Sequence, residues 1–174
     1  RSTNGIYWHV PNAYNVFHGD PGFFDGDGNG VSMTTTIETS FGSGLMAGGF
    51  LLNNELTDFS FAPADASGLA VANRVQPNKR PRSSMSPMLV FDARDGRLLM
   101  SLGSPGGAAI IHFTAKTLVG SLDRGLDAQR AIDLPNFGSF NGPTVVEKGR
   151  FPTATLDALR ARGHSVNEID MTSG

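Results

Sequence analysis

The chain has 174 residues, of which 17% are charged, and its formal net charge at pH 7 is −2. This balance provides no basic face for phosphate groups, which argues against a nucleic-acid partner and against an anionic membrane surface. There is no cysteine, so disulfides, thiolate zinc sites and a cysteine nucleophile are excluded. No apolar run has the length of a membrane span, and residues 1–18 lack a signal-peptide pattern. We therefore expect a small-molecule ligand.

The first part of the chain predicts short strands joined by shaped turns. Residues 1–24 mix aromatic residues with Asn, Gly and Pro and show no clear period. The sequence DGDGNG at 25–30 is dense in residues that tolerate positive φ, and it predicts a hairpin turn. It also matches the opening of a calcium loop, but that loop needs a glutamate at its twelfth position, which here is Thr36. Gly48 and Gly49 lie inside an expected strand and indicate a bulge or a close backbone approach.

The rest of the chain predicts alternating strands and helices. Apolar residues at helical spacing predict a helix over 108–122, and Asp127 can cap a short second helix that ends at Ile132. A third helix is expected at 153–162, where Gly163 stops it. Strands are expected at residues 31–38, 45–52, 88–92, 97–102, 144–147 and 164–169. This arrangement indicates an α+β layered domain.

Two groups of polar residues are candidates for ligand binding. The sequence GSPGG at 103–107 precedes an expected helix, where backbone N–H groups can hold a ligand oxygen, although an ordinary strand-to-helix turn is the alternative. Residues 52–59 set two carboxylates and two amides at the end of an expected strand, and a solvated loop is the alternative there. Beside Ser83 and Ser84 they suit an amino acid, whose ammonium needs carboxylates and whose carboxylate needs hydroxyl or N–H donors.

The histidines do not form a metal site by their spacing. His112 lies inside an expected helix and is interpreted as structural, whereas His164 follows Gly163 and is expected at the surface. No metal and no cofactor are expected.

Taken together and in order, five segments closely resemble the small subunit of gamma-glutamyltransferases. They are TTTIE at 34–38, FGSG at 41–44, LNNELTDF at 52–59, PNKRPRSSMSP at 77–87 and GSPGG at 103–107. The resemblance implies an α+β fold, the αββα sandwich of N-terminal-nucleophile hydrolases, incomplete in this chain. It divides the chain into an atypical segment at 1–24 and a small-subunit-like domain at 25–174.

The resemblance also implies an activity and a partner. Members of this family are made as one precursor that cleaves itself into two subunits, and the new N-terminal threonine attacks a γ-glutamyl amide with its own amine as base. The implied partners are the large subunit of the same precursor and a small γ-glutamyl substrate such as glutathione. The implied location is periplasmic or extracellular.

The resemblance assigns roles to individual residues of this chain. Thr36 resembles the threonine that hydrogen-bonds the nucleophile, and Gly106 and Gly107 resemble the glycines of the oxyanion hole. The residues that resemble the holders of the substrate α-amino group are Glu38, Glu55 and Asp58. Asn54 is a further candidate for substrate binding, and Ser83 and Ser84 resemble the holders of the α-carboxylate.

The nucleophile departs from the family pattern. Counting back from Thr36 at the family's spacing reaches His18, and no threonine occurs between Thr3 and Thr34. Thr3 would serve only if two residues were trimmed and the first strand were rerouted. The activity of the chain as written is therefore left open.

Two alternatives to a γ-glutamyl enzyme remain. One is a related acylase for glutaryl-type (cephalosporin) side chains, which would have less use for the ammonium-binding carboxylates. The other is a catalytically dead remnant or binding module that keeps the pocket without the nucleophile. The presence of both Glu55 and Asp58 favours a γ-glutamyl donor.

Overall fold

The computed structural model of the chain describes residues 18–19 and 22–171, which divide into two compact units. The first unit contains the described residues up to 84 together with 89–101. The second contains 85–88 together with the described residues from 102 onward. Of the segment singled out at 1–24, residues 1–17, 20 and 21 lie outside the described part of the chain.

Short antiparallel strand pairs make up the sheet structure of the first unit. The pairs are β1 (His18–Gly19) with β4 (Thr35–Thr36), β2 (Gly22–Phe24) with β3 (Gly30–Ser32), and β5 (Met46–Ala47) with β6 (Phe50–Leu51). A 3₁₀ turn, Glu55–Asp58, follows β6. Strands β7 (Met88–Phe91) and β8 (Leu98–Leu102) form a further pair. Both of these last strands were expected from the sequence.

The DGDGNG segment is the turn between β2 and β3, as predicted. The Asp25 carboxylate accepts hydrogen bonds from the backbone N–H groups of Asp27 (3.0 Å) and Asn29 (2.9 Å), and from the Asn29 side chain (2.7 Å). These bonds, led by the one from the Asn29 side chain, hold the pKa of Asp25 below its ordinary value. The Asp25 carboxylate therefore stabilises the turn through hydrogen bonds to the turn's own residues.

Two of the expected strands are wrong in detail. The strand predicted over 31–38 is divided into β3 and β4 and ends before Glu38, whose φ of 73° is incompatible with a continuing strand. The strand predicted over 45–52 is the β5–β6 hairpin. Gly48 and Gly49 have φ values of 59° and 87° and form its two-residue turn, because such turns need positive φ at both central positions. They are not a bulge.

The second unit contains the three helices and the three-stranded sheet. Helix α1 (Ile110–Leu118) follows a 3₁₀ turn (Gly107–Ala109) and continues into one π turn (Val119–Asp123). Helices α2 (Ala128–Ile132) and α3 (Thr153–Ala161) complete the set. All three helices agree with the sequence-based prediction. The Asp127 carboxylate caps α2 by accepting from the N–H of Arg130 (2.9 Å), and Gly163 ends α3 with a φ of 89°.

The three-stranded sheet has the order β11-β10-β9. Strand β10 (Thr144–Glu147) runs parallel to β11 (Val166–Ile169) and antiparallel to β9 (Phe137–Ser139). Strands β10 and β11 were expected, whereas β9 was missed. Its three residues include a central glycine and give no alternating pattern.

Buried apolar side chains are unevenly distributed among the described residues. Those of the second unit are Ile110, Phe113, Ala131, Val146 and Leu156, and the first unit has Phe59. In the second unit, α1 packs against α2 and β9, and α3 packs against β11. Within the described ranges, no helix combines the length and apolar character that a membrane crossing requires.

Candidate active site

Three carboxylates converge in the first unit. One oxygen each from Glu38, Glu55 and Asp58 lies within 4.8 Å of the other two, and all three residues are half-buried. Carboxylates at this distance repel one another unless a positive group lies between them. The cluster therefore suits a small cation such as a primary ammonium. The sequence-based assignment placed these three residues together, and the structure brings them together.

The turn after β4 orients Glu38. Its backbone N–H donates to the Thr36 hydroxyl oxygen (2.8 Å), and its φ of 73° turns the chain out of the strand. The N–H of Asn54 donates to the carbonyl of Ile37 (3.2 Å), which ties this turn to the segment that carries Glu55. Thr36 thus supports the acidic cluster in addition to the role that the resemblance implies for it.

The Asn54 side chain is engaged by protein groups. Its amide oxygen accepts from the backbone N–H and from the hydroxyl of Thr39, each at 3.1 Å. Its amide nitrogen donates to the Thr57 hydroxyl (3.1 Å). These contacts join the segment after Glu38 to the Glu55–Asp58 turn. Asn54 therefore supports the carboxylates, and its predicted direct contact with substrate stays a prediction.

The FGSG segment packs against Leu52, which lies between strand β6 and the Glu55–Asp58 turn. Gly42 approaches Leu52 so closely that a Cβ at position 42 would lie 2.1 Å from the Leu52 carbonyl oxygen. The same oxygen accepts a hydrogen bond from the N–H of Ser43 (2.9 Å). A glycine is required at position 42 because any side chain would separate these two segments.

Ser83 and Ser84 lie in the first unit, within the PNKRPRSSMSP segment at 77–87. Ser83 is exposed and Ser84 is half-buried. The N–H of the preceding residue, Arg82, donates to the amide oxygen of Asn73 (3.0 Å), and the amide nitrogen of Asn73 donates to the carbonyl of Asp58 (2.6 Å). Asn73 was not identified from the sequence, where it lies in VANRV without any motif of its own.

In the second unit, Gly106 and Gly107 expose their backbone at the start of the α1 helical segment. Their φ values are 131° and 55°, and the Gly106 carbonyl accepts from the N–H of Ala109 (3.0 Å). Within the described part of the chain, neither glycine N–H donates a hydrogen bond. Two such N–H groups at a helix start can bind a negatively charged oxygen.

The side chain beneath this glycine pair is Phe113. A Cβ at Gly106 would lie 2.6 Å from the Phe113 ring, so the ring packs directly against the glycine. The buried Ser104 hydroxyl donates to the Pro105 carbonyl (2.7 Å) just before the pair. The loop conformation is therefore fixed from within the second unit.

Strand β1 contains His18, the position that the family spacing, counted back from Thr36, assigns to the nucleophile. His18 pairs with Thr36 and Gly19 with Thr35 in an antiparallel register. A residue at position 18 is thus the direct neighbour of Thr36 across two strands.

Both histidine interpretations agree with the structure. The His112 Nε2 lies 3.3 Å from the backbone N–H of Ser139, and its ring packs edge-on against Phe140 at 4.9 Å between centroids. His164 is exposed. Both are remote in sequence from the carboxylate cluster.

Comparison with known proteins places the chain in a family. The family model described as Gamma-glutamyltranspeptidase matches residues 22–174. The chain belongs to the gamma-glutamyltranspeptidase family. It is 45% identical over 150 residues to a glutathione hydrolase proenzyme of Escherichia coli (strain K12), an alignment that covers 82% of this chain. The chain spans 25% of that relative's length.

Solved structures of the family share the fold. An acivicin-inhibited gamma-glutamyltranspeptidase matches with a TM-score of 0.79 and 32% identity, covering 91% of this chain and 86% of that one. A cephalosporin acylase from Bacillus halodurans matches with a TM-score of 0.73 and 26% identity, covering 95% of this chain and 29% of that one. The fold is α+β, of the N-terminal-nucleophile hydrolase type, and the chain carries part of its αββα sandwich.

Proposed function

We propose that this chain is the nucleophile-side half of an enzyme that hydrolyses or transfers γ-glutamyl groups, with glutathione among its substrates. The observation that carries the proposal is the convergence of Glu38, Glu55 and Asp58 within 4.8 Å. A γ-glutamyl group ends in an α-ammonium, and three half-buried carboxylates form a strong acceptor site for it. Family membership supports the same substrate class.

Further groups are proposed for the α-carboxylate and for the scissile carbonyl of the substrate. Ser83 and Ser84 provide hydroxyl and N–H donors for the α-carboxylate. For the second unit, the family resemblance assigns the Gly106 and Gly107 N–H groups to the oxygen of the scissile γ-carbonyl, whose negative charge grows as a nucleophile attacks.

The chemistry requires a threonine at an N-terminus. Its hydroxyl oxygen attacks the γ-carbonyl carbon while its own α-amine takes the hydroxyl proton, and the glycine N–H groups stabilise the resulting oxyanion. Collapse of this intermediate expels the amine of the substrate, which takes the proton back from the threonine α-ammonium, and leaves a γ-glutamyl ester on the threonine. Water then hydrolyses the ester, or an acceptor amine takes the glutamyl group. We propose position 18, which pairs with Thr36 between strands β1 and β4, as the position for this threonine.

The proposed partner is a large subunit from the same precursor. Large apolar side chains of the first unit are exposed in this chain, including Phe41 (68%), Phe50 (64%), Leu56 (76%) and Phe61 (91%). Such a surface is typical of a protein interface rather than of a solvated face. The resemblance assigns the assembled enzyme to the periplasm or the extracellular space.

The second candidate is a glutaryl-type acylase, favoured by the match to the cephalosporin acylase. A glutaryl group lacks the α-ammonium that the carboxylate cluster suits, and the negatively charged cluster would repel a purely anionic substrate. We therefore prefer the γ-glutamyl donor.

The two candidate activities are distinguished by comparing hydrolysis of a γ-glutamyl anilide with hydrolysis of the corresponding glutaryl anilide. The test uses a variant with Thr-Thr-His ahead of Asp25 and a free N-terminal threonine, assembled with a competent large subunit. We expect release from a γ-glutamyl anilide to exceed release from the glutaryl anilide by about 100-fold or more in kcat/KM, because the glutaryl substrate lacks the ammonium that the carboxylates attract. The isosteric change Asp58→Asn should remove most of that preference. Equal or faster glutaryl release would identify the acylase instead.

A further inference from the structure

The Asn73 side chain connects the carboxylate cluster to the segment that carries Ser83 and Ser84. The Asn73 amide nitrogen donates to the carbonyl of Asp58 (2.6 Å), and the Asn73 amide oxygen accepts from the N–H of Arg82 (3.0 Å). Asp58 belongs to the carboxylate cluster, and Arg82 is covalently joined to Ser83. All of these residues lie in the first unit, and Asn73 itself is half-buried.

The backbone of Asn73 is fixed as well. Its carbonyl accepts from the N–H of Ser60 (2.9 Å), two residues after Asp58. The ammonium of Lys79 donates to the carbonyl of Ala72, which ties the loop that leads to Ser83 back to the same turn. Asn73 therefore makes three hydrogen bonds to two segments, 58–60 and the loop at Arg82, and its amide group cannot rotate without losing two of these bonds.

An α-amino acid places its ammonium and its carboxylate at one fixed separation. A site that holds both groups at once must keep its carboxylates and its hydroxyl and N–H donors at a matching separation. An error of about 1 Å in such a site is costly, because binding and orientation depend on groups held by their supporting contacts. The spacing matters only for a ligand that carries both charged groups.

We propose that Asn73 is a positioning residue that sets the distance between the ammonium-binding carboxylates and the carboxylate-binding serines. The inference rests on the proposed γ-glutamyl function and deepens it. Asn73 acts through Asp58 and Arg82, and it does not itself contact the substrate.

Three small ligands separate positioning from general stability. L-Glutamate carries both α-groups, glutarate lacks the ammonium, and 4-aminobutyrate lacks the α-carboxylate. Their dissociation constants are measured by calorimetric or NMR titration of the full-length wild-type protein and of the same protein carrying Asn73→Ala. We expect the variant to bind L-glutamate about tenfold or more weakly, as the loss of two hydrogen bonds implies. Binding of the two single-ended ligands should change by less than about twofold.

Asn73→Asp is the second variant, and it carries the test should Asn73→Ala fail to fold. The aspartate keeps an oxygen for the Arg82 N–H but cannot donate to the Asp58 carbonyl, so it should lose L-glutamate affinity to a similar extent. Asn136→Ala is the matched structural control, because it removes an amide donor to the Glu147 carboxylate (3.1 Å) in the second unit. It should lower Tm while leaving all three affinities unchanged.

Two results would overturn the inference. If Asn73→Ala weakens all three ligands by one common factor, Asn73 has a structural role only. If none of the three affinities changes, it has no role at the site. A different result tests the proposed function itself: if the wild type binds L-glutamate no more tightly than glutarate, the γ-glutamyl site is wrong, and the role of Asn73 falls with it.

Discussion

At the scale of single residues, Gly106 has a steric requirement and a proposed functional one. Its φ of 131° is a conformation that side chains disfavour, and a Cβ there would lie 2.6 Å from the Phe113 ring. We expect Gly106→Ala to lower the free energy of unfolding by about 1–3 kcal/mol through backbone strain. If the N–H at this position stabilises the oxyanion, kcat should fall by about 100-fold or more. Thermal unfolding and γ-glutamyl anilide kinetics of the assembled, threonine-bearing enzyme measure the two effects.

Gly142→Ala is the matched control for this change. A methyl group at position 142 would meet open space, and the backbone there has an unstrained φ, so both Tm and kcat should be retained. A Gly106→Ala enzyme with wild-type kcat would remove Gly106 from the oxyanion hole, whatever its stability.

The sequence predicted individual residues best where they belong to ordered motifs. Glu38, Glu55 and Asp58 were assigned to one site, and the structure brings their carboxylates together. Asn73 could not be found in this way, because its contacts join residues 9 and 15 positions away through tertiary hydrogen bonds. The engagement of the Asn54 side chain with Thr39 and Thr57 was hidden for the same reason.

At the scale of elements, periodicity predicted the helices correctly and the short strands less well. Helix α1 has a clear apolar stripe, whereas the expected strand over 45–52 contains two adjacent glycines that suit either a bulge or a turn. Both glycines have positive φ values, which identify a turn, and the sequence does not specify these values. Strand β9 has three residues and is stabilised by its pairing with β10, so its own sequence carries little signal.

A buried lysine joins helix α1 to the end of α2. The Lys116 ammonium donates to the carbonyls of Ile132 (2.6 Å) and Leu134 (2.9 Å), and its burial lowers its pKa below the ordinary 10.5. Glu147 and Asp133 oppose this shift, and Arg150 adds to it. Between the lowered folded pKa and 10.5 the unfolded chain binds more protons than the folded chain, so stability attributable to this group rises with pH in that window.

We therefore expect the wild type to gain stability relative to Lys116→Met as the pH is raised from neutral toward 10.5. The neutral amine still has hydrogens for both carbonyls, so its contacts survive deprotonation. Tm measured against pH for both proteins tests this, with the exposed Lys148→Met as control. If the Tm curves of wild type and Lys116→Met run parallel, or if the Tm of the wild type falls relative to that of the variant as the pH rises, burial of Lys116 is not the cause we assign.

At the scale of the whole molecule, five weak motifs in a fixed order were enough to predict the family and the fold class. The comparisons establish both, at 45% identity to one relative and a TM-score of 0.79 to one solved structure. The distribution of buried residues could not be predicted, because it depends on which apolar side chains find partners within the chain. The first unit leaves several of them exposed, and this is the surface we assign to the large subunit.

The central claim is that this chain holds the binding and oxyanion groups of a γ-glutamyl enzyme, while position 18, opposite Thr36, carries histidine in place of the nucleophile. The direct measurement is release of the chromophore from a γ-glutamyl anilide in the presence of a competent large subunit. The unmodified chain should release none. A chain that begins at position 18 and carries His18→Thr, Gly19→Thr and Asp20→His should release it under the same conditions. Clear turnover by the unmodified chain would contradict the account, and Thr3 would then be the first residue to mutate.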